Sequence, residues 1–316
     1  MNSAEKEIHE IIERDGFITV DQFFKIASEY YYKNCNPFGS SGDFITAPEI
    51  SQLFGDIIGI WCASTWMKLG KPKFKLVEMG GGKGTLMSDI LRATKNVKGF
   101  HASLDKVVMI ETSDSLALVQ QETLKAYDNI IWVKSIEEVQ ADNCIFICNE
   151  LFDALPFKQY IGSKERVIII KDNKLMFKDV NENVDITEVS EVGQKLCEEI
   201  QRISIAALII DYGYLEVPKI STLQAVKKHE YTDVFANIGE VDLTYNVDFS
   251  ALLKCFKKAR VVTQSSFLKE YGIELRAQKL VEQGYEAGKM KFELERLTSP
   301  TQMGTLFKVL EFVKKS

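Results

Sequence analysis

An apolar run from Phe74 to Met79 ends at a turn carrying Gly80, Gly81, Gly82 and Gly84. An amphipathic run with Leu86, Ile90 and Leu91 at helical spacing follows directly. Strand, glycine turn and helix, in that order, bring a backbone against a nucleoside ligand. A side chain at the turn glycines would block that approach, and glycine takes positive φ without penalty. The chain is therefore expected to build an α/β fold around a ligand-binding turn.

The spacing narrows the ligand. A dinucleotide turn reads G-x-G-x-x-G, and counted from Gly80 its last position falls on Thr85. A P-loop places Ser or Thr directly after Gly-Lys, whereas here Lys83 precedes Gly84 and the upstream glycine position is Val77. What fits is acidic-x-G-x-G-x-G, from Glu78 through Gly80, Gly82 and Gly84. That pattern resembles motif I of Rossmann-like S-adenosylmethionine (SAM) methyltransferases. A carboxylate suits a cofactor with an ammonium and a sulfonium group, and would repel a phosphate. The alternative is an ordinary glycine-rich turn, since a glycine fingerprint alone is a weak signal.

With 316 residues, 46% apolar and 27% charged, the chain reads as a globular protein long enough to bury a large core. A net charge of −6 leaves no footprint for a nucleic-acid backbone over the whole chain, so no nucleic-acid partner is expected. No apolar run approaches the roughly 18 residues that cross a bilayer, so no membrane insertion is expected. The start, Met1 to Ile8, is acidic and mixed and resembles neither a signal nor a transit peptide. Cys35, Cys62, Cys144, Cys148, Cys197 and Cys255 form no C-x-x-C, and His9, His101 and His229 are scattered. No metal site is expected, and a reducing compartment fits best.

Apolar spacing predicts helices over 5–14 and 20–32, then a helix opened by Pro48 and running to about Leu69. Next come strand 74–79, helix 85–95, strand 106–111, helix 114–126, and strands 130–133 and 144–149. This alternation argues for a parallel sheet covered by helices. Residues 157–161, 166–171 and 174–177 read as short antiparallel strands, and 188–203 as a helix. Ile205 to Ile210 is an apolar strand ending at Asp211, and 212–247 is irregular by pattern. Residues 248–258, 265–271 and 274–286 look helical, 260–263 extended, and 305–313 a last strand. The expected organisation is a helical segment over 1–69 packed on a core over 70–316, with insertions near 157–203 and 212–300.

Ligands of such sheets bind beyond the carboxyl ends of the strands. Strand two ends Met109-Ile110-Glu111, and Glu111 can accept both hydroxyls of a ribose. Strand three ends Lys134-Ser135-Ile136, where Ser135 and Ile136 could meet an adenine. Strand four ends Cys148-Asn149-Glu150-Leu151-Phe152-Asp153-Ala154-Leu155-Pro156. On a short helical turn Glu150 and Asp153 would share a face. Asp211 adds a third carboxylate from the neighbouring strand. The alternative for Asp153 and Asp211 is to cap a helix or a turn.

Several motifs then recur in one order: Gly42-Asp43-Phe44-Ile45-Thr46-Ala47-Pro48-Glu49-Ile50-Ser51, Glu78 to Gly84 with Thr85-Leu86-Met87, and Asn149 to Pro156. They continue with Ile210-Asp211-Tyr212-Gly213-Tyr214, Leu223-Gln224-Ala225-Val226 with His229, Asp242-Leu243-Thr244 with Val247-Asp248-Phe249, and Met303-Gly304 with Leu306-Phe307-Lys308-Val309. Together they resemble the MidA-type family, from about residue 17 to the C-terminus. Two departures stand out. Gly81 and Lys83 occupy positions where the family usually carries Pro and Arg, and the loop before Asn36 is shortened around Tyr30 to Asn34.

The resemblance implies a Rossmann-like SAM methyltransferase sheet with N-terminal helices and helical and β insertions. For the family's characterised mitochondrial members it implies symmetric dimethylation of an arginine on the 49-kDa quinone-pocket subunit of respiratory complex I, in support of its assembly. The expected cofactor set is Glu78, Gly80, Gly82, Gly84, Glu111, Ser135, Ile136 and Asn149, with Thr46 and Pro48 either closing over SAM or fixing the N-terminal helices. Paired carboxylates answer the needs of a guanidinium, whose pKa exceeds about 12 and whose donors form a fixed fork. Glu150 is the first choice for that clamp, Asp153 the second and Asp211 the third, with His229 as acceptor of the released proton. Competing readings are a SAM-binding assembly chaperone with little catalysis and a small-molecule methyltransferase. The expected location is the bacterial cytoplasm or, for a processed organellar form, the mitochondrial matrix.

Overall fold

The computed structural model describes residues 1–34, 46–140, 143–178, 185–227 and 230–314. The chain forms two compact units. The first comprises Met1–Phe44, Phe152–Leu196 and Gly213–Leu252; the second comprises Ile45–Leu151, Cys197–Tyr212 and Leu253–Ser316. The expected 1–69 segment is thus divided between them, and the expected insertions are shared out as well. No helix among the described residues is long and apolar enough to cross a membrane.

The second unit is built on a mixed sheet. Its strands are β1 (Phe74–Met79), β2 (Leu104–Ile110), β3 (Ile130–Val133), β4 (Cys144–Asn149), β5 (Ser204–Tyr214), β6 (Arg260–Thr263) and β7 (Phe307–Val313). They lie in the order β6-β7-β5-β4-β1-β2-β3. From β5 to β3 every pair is parallel. The strands expected to be parallel, β1 to β4, are so, and β7, whose direction the sequence does not specify, runs antiparallel between β5 and β6. Burial explains the composition: β4 is buried at all six positions and β1 at five of six, as strands covered on both faces must be.

The strand expected to stop at Asp211 continues to Tyr214. Gly213 and Tyr214 belong to the first unit and pair there with Val247 and Asp248. A Cβ at Gly213 would stand 2.1 Å from the Val247 carbonyl oxygen, so this pairing requires glycine.

Pro48 does not open one long helix. It lies in a one-turn helix, Ala47–Ile50, which ends where Ser51 takes extended backbone angles. The Ser51 hydroxyl then accepts from the Leu53 N–H and starts a second helix, Gln52–Lys68. That helix is buried on most sides, with Phe54, Ile57, Trp61 and Trp66 in the sheet unit's core. Gly55 and Gly59 let it approach helix Thr85–Thr94 closely, since a Cβ on Gly55 would lie 2.4 Å from the Asp89 Cβ.

In the first unit, helices Ser3–Asp15 and Val20–Asn34 share a core with Phe157, Ile168, Ala225, Leu243 and Tyr245. The strands at 158–161, 167–171 and 174–177 are present, though in two separate sheets. Strand 186–189 occupies the start of the expected helix, which begins at Glu191. The stretch read as irregular holds a three-stranded sheet of 224–227, 230–232 and 242–244. Its strands are only three or four residues long, too short for an alternating pattern to register.

Candidate cofactor and active site

In the order β5-β4-β1-β2-β3, the chain switches direction between β1 and β4, and such a switch point opens a crevice at the carboxyl ends of the strands. The register aligns those ends. The Gly80 N–H donates to the Ile110 carbonyl at 3.2 Å, Glu111 N–H to Val133 at 3.0 Å and Glu150 N–H to Ile210 at 2.9 Å. Glu78, Gly80, Glu111, Asn149, Glu150 and Asp211 therefore stand along one edge of the sheet.

The turn itself needs its glycines: Gly80, Gly82 and Gly84 have φ of +72°, +52° and +82°. A Cβ on Gly80 would also lie 2.8 Å from Leu151 Cδ1. Gly84 then caps the helix that opens at Thr85.

Two carboxylates flank this turn. Glu78 is 2% exposed, and burial pushes its carboxyl up to about 8; the charge of Glu111 adds to the rise, and the Met87 N–H opposes it. Glu111 is also raised by burial. Its Oε1 accepts from the Ser113 N–H at 2.8 Å and its Oε2 from Gln120 Nε2 at 3.1 Å. Among the described residues, Glu78 Oε2 and Asn149 Oδ1 are buried without a hydrogen-bond partner. Buried acceptors are nearly always satisfied. Two such oxygens beside a glycine turn fit a ligand that brings donors and positive charge.

Glu150 has φ +51°, a left-handed conformation that costs a residue with a Cβ of order 1 kcal/mol or more. This overturns the expectation of a helical turn carrying both Glu150 and Asp153. The Glu150 Oε1 accepts from the Ala47 N–H and from Asn149 Nδ2, each at 3.1 Å. Its side chain thereby holds the start of helix Ala47–Ile50. A second tie, Lys83 Nζ to Glu49 Oε1 at 3.0 Å, binds that helix to the glycine turn. The segment containing Thr46 and Pro48 is thus anchored to the strand edge and its glycine turn, while Gly42 to Ile45 lie outside the described residues.

Asp153 belongs to the first unit, on a 3-10 turn, Phe152–Ala154, where its Oδ2 accepts from Thr244 Oγ1 at 2.9 Å. Asp211 lies inside β5 and is fully buried, with Oδ1 accepting from the Tyr212 N–H at 2.9 Å. Ser135 precedes a 3-10 turn, Ile136–Glu138, just past β3, and Ile136 is buried. His229 lies outside the described residues. Sequence reasoning missed Gln120, a buried residue that joins the glycine turn to Glu111. Nothing in a single glutamine on an amphipathic helix marks it.

The family model of S-adenosyl-L-methionine-dependent methyltransferases matches residues 57–267. The protein arginine methyltransferase NDUFAF7 of Danio rerio mitochondria is 35% identical, over 88% of this chain and 78% of that one. Its counterpart in Xenopus laevis is 32% identical, over 96% and 83%. A Burkholderia thailandensis protein, solved bound to S-adenosyl-homocysteine, shares the fold with a TM-score of 0.84 at 23% identity, over 98% of this chain and 91% of that one. With the glycine turn, the buried carboxylates and these likenesses together, the chain belongs to the family of S-adenosyl-L-methionine-dependent methyltransferases.

Proposed function

We propose that this chain methylates an arginine side chain of a protein substrate. The observation that carries the reading is Glu150, a carboxylate held at the end of β4 in a costly backbone conformation, directly after Asn149, whose Oδ1 is buried without a hydrogen-bond partner. The named relatives, protein arginine methyltransferases, support it.

When bound, S-adenosyl-L-methionine supplies a sulfonium methyl group. Glu78 and Asn149 would hold its ammonium group, Glu111 its ribose, and Ser135 and Ile136 its adenine. Gly80, Gly82 and Gly84 leave room for the ligand, and Thr46 and Pro48 border it. Glu150 would clamp the guanidinium, since a carboxylate offers about four acceptor sites and takes a fork of donors bidentately. The clamp offsets repulsion between two cations and aligns the nitrogen for in-line attack, and alignment of this kind lowers barriers by up to roughly 7–11 kcal/mol. Asp211, on the strand beside β4, is a further carboxylate of this unit; Asp153 and His229 stand as candidates from the sequence alone. The finer reading, symmetric dimethylation of a 49-kDa-type complex I subunit, rests on the family resemblance, as does a mitochondrial or bacterial cytoplasmic location.

Labelled SAM, the purified chain and that subunit, followed by mass spectrometry, test the reading. Methylated arginine is expected with the wild type. Glu150→Gln is expected to bind SAM and transfer no label. Full activity in that variant would remove the clamp. Absence of transfer by the wild type while SAM binds would favour a SAM-binding assembly factor.

A further inference from the structure

Gln120 lies on helix Asp114–Thr123 and is fully buried. Both N–H groups of its carboxamide donate and its oxygen accepts. One Nε2 hydrogen goes to the Gly82 carbonyl at 2.9 Å, the other to Glu111 Oε2 at 3.1 Å. Its Oε1 accepts from Trp132 Nε1 at 3.0 Å. The orientation is not interchangeable. An indole N–H only donates, and the Gly82 carbonyl and the Glu111 carboxylate can only accept from an amide. Turning the amide over would break all three bonds at once.

We propose that Gln120 is a positioning residue for the cofactor. It locks the glycine turn and the ribose-binding carboxylate into one rigid unit, so that the two bind SAM together. The inference rests on the reading of Glu111 as the ribose acceptor. Gln120 does two things for that residue. It orients Oε2, and it donates to the ionised carboxylate, opposing the rise that burial causes. Through the Gly82 carbonyl the same amide fixes the middle of the turn, where φ is +52°. Trp132, on β3, completes the set, so three consecutive strand ends (β1, β2 and β3) are registered by one side chain.

A purely structural glutamine would weaken the fold and leave the Glu111–ribose contact as it was. A double-mutant cycle separates the two. SAM affinity is measured by calorimetry for wild type, Glu111→Gln, Gln120→Ala and the double variant, with urea midpoints for each. The expected result is a loss of about 10-fold or more for each single variant, as for a hydrogen bond to a charged group. The double variant is expected to lose little more than the worse single one, because each already breaks the shared unit. Trp132→Phe keeps an aromatic ring but removes the indole N–H. It is expected to weaken SAM binding by about 2- to 5-fold, as for a single neutral hydrogen bond, with a lower urea midpoint because buried Gln120 Oε1 loses its donor, and covers the case in which Gln120→Ala does not fold. Unchanged SAM affinity in Glu111→Gln overturns the ribose reading. A loss in Glu111→Gln combined with additive losses in the cycle, or with wild-type affinity in Trp132→Phe, overturns the positioning role alone.

Discussion

At the residue scale, Glu78 makes the sharpest prediction. Its carboxyl sits near 8 in the fold against an ordinary 4.5, with burial as the first cause. Between those values the folded chain keeps a proton that the unfolded chain has released. Stability from this site is therefore fully present below about pH 4.5 and falls as pH rises toward 8. Glu78→Gln removes the slope. It is expected to match the wild type in unfolding free energy from urea titration near pH 4.5 and to exceed it by a few kcal/mol at pH 8, since each pKa unit is worth about 1.4 kcal/mol. A difference that does not grow with pH would rule this out. A cationic ligand against Glu78 favours the ionised form, so SAM binding at pH 7 should release a proton, read as binding enthalpies that differ between phosphate and Tris. Gly82→Val is a second test, because a β-branched residue at φ +52° is strained and its side chain would face the ligand; wild-type SAM affinity in that variant would refute the cofactor site. Much of this was legible in the sequence, because glycine spacing and strand-end acids are local signals. Gln120 was not, since its role depends on partners at positions 82, 111 and 132 that only the fold assembles.

At the element scale, the one-turn helix Ala47–Ile50 shows how a short element is held. Four residues form no stable helix alone. Glu150 takes the Ala47 N–H, Lys83 takes Glu49, and Ser51 at its end donates to Glu293 Oε2 at 2.5 Å. The Lys83–Glu49 pair is partly exposed, so Lys83→Ala should cost less than about 1 kcal/mol in stability. It should instead speed amide exchange at 47–51, and equal protection in both proteins would argue against the tie. Ser51→Ala loses both the cap of helix Gln52–Lys68 and the Glu293 bond, so a loss of roughly 1–3 kcal/mol is expected in urea unfolding. The sequence carried the strand and helix alternation well, because periodicity is written into each segment. It misled at Pro48, where the proline signal outweighed the equally local Ser51 cap. It was silent on the direction of β7, because an apolar run reads the same both ways.

At the scale of the whole molecule, each unit draws on three separate stretches of chain. The first unit's core packs Phe24 against Phe157 and Tyr245, with ring centroids 5.3 and 6.0 Å apart. No pattern within a window of 20 residues foretells such partners, which is why the division into units was not legible. In the second unit, Glu311 does the equivalent joining. It lies on β7 opposite Arg260 of β6. Its Oε1 accepts from Trp61 Nε1 at 2.7 Å and from Tyr271 OH at 2.9 Å, and its Oε2 from Arg260 Nε at 2.5 Å. A helix before the glycine turn, an edge strand, a late helix and the final strand thus meet on one carboxylate. Glu311→Ala would leave the buried indole N–H without an acceptor, while half-exposed Arg260 can return to water and matters less. The expected cost is about 2–4 kcal/mol, read as a lower urea midpoint with an unchanged m-value. SAM affinity of the folded protein should remain near wild type, because Glu311 lies on neither the glycine turn nor the strand ends proposed to hold the cofactor. A midpoint equal to wild type would show that the sheet closes on apolar packing alone, and a fall in affinity without a fall in midpoint would place Glu311 in the site instead.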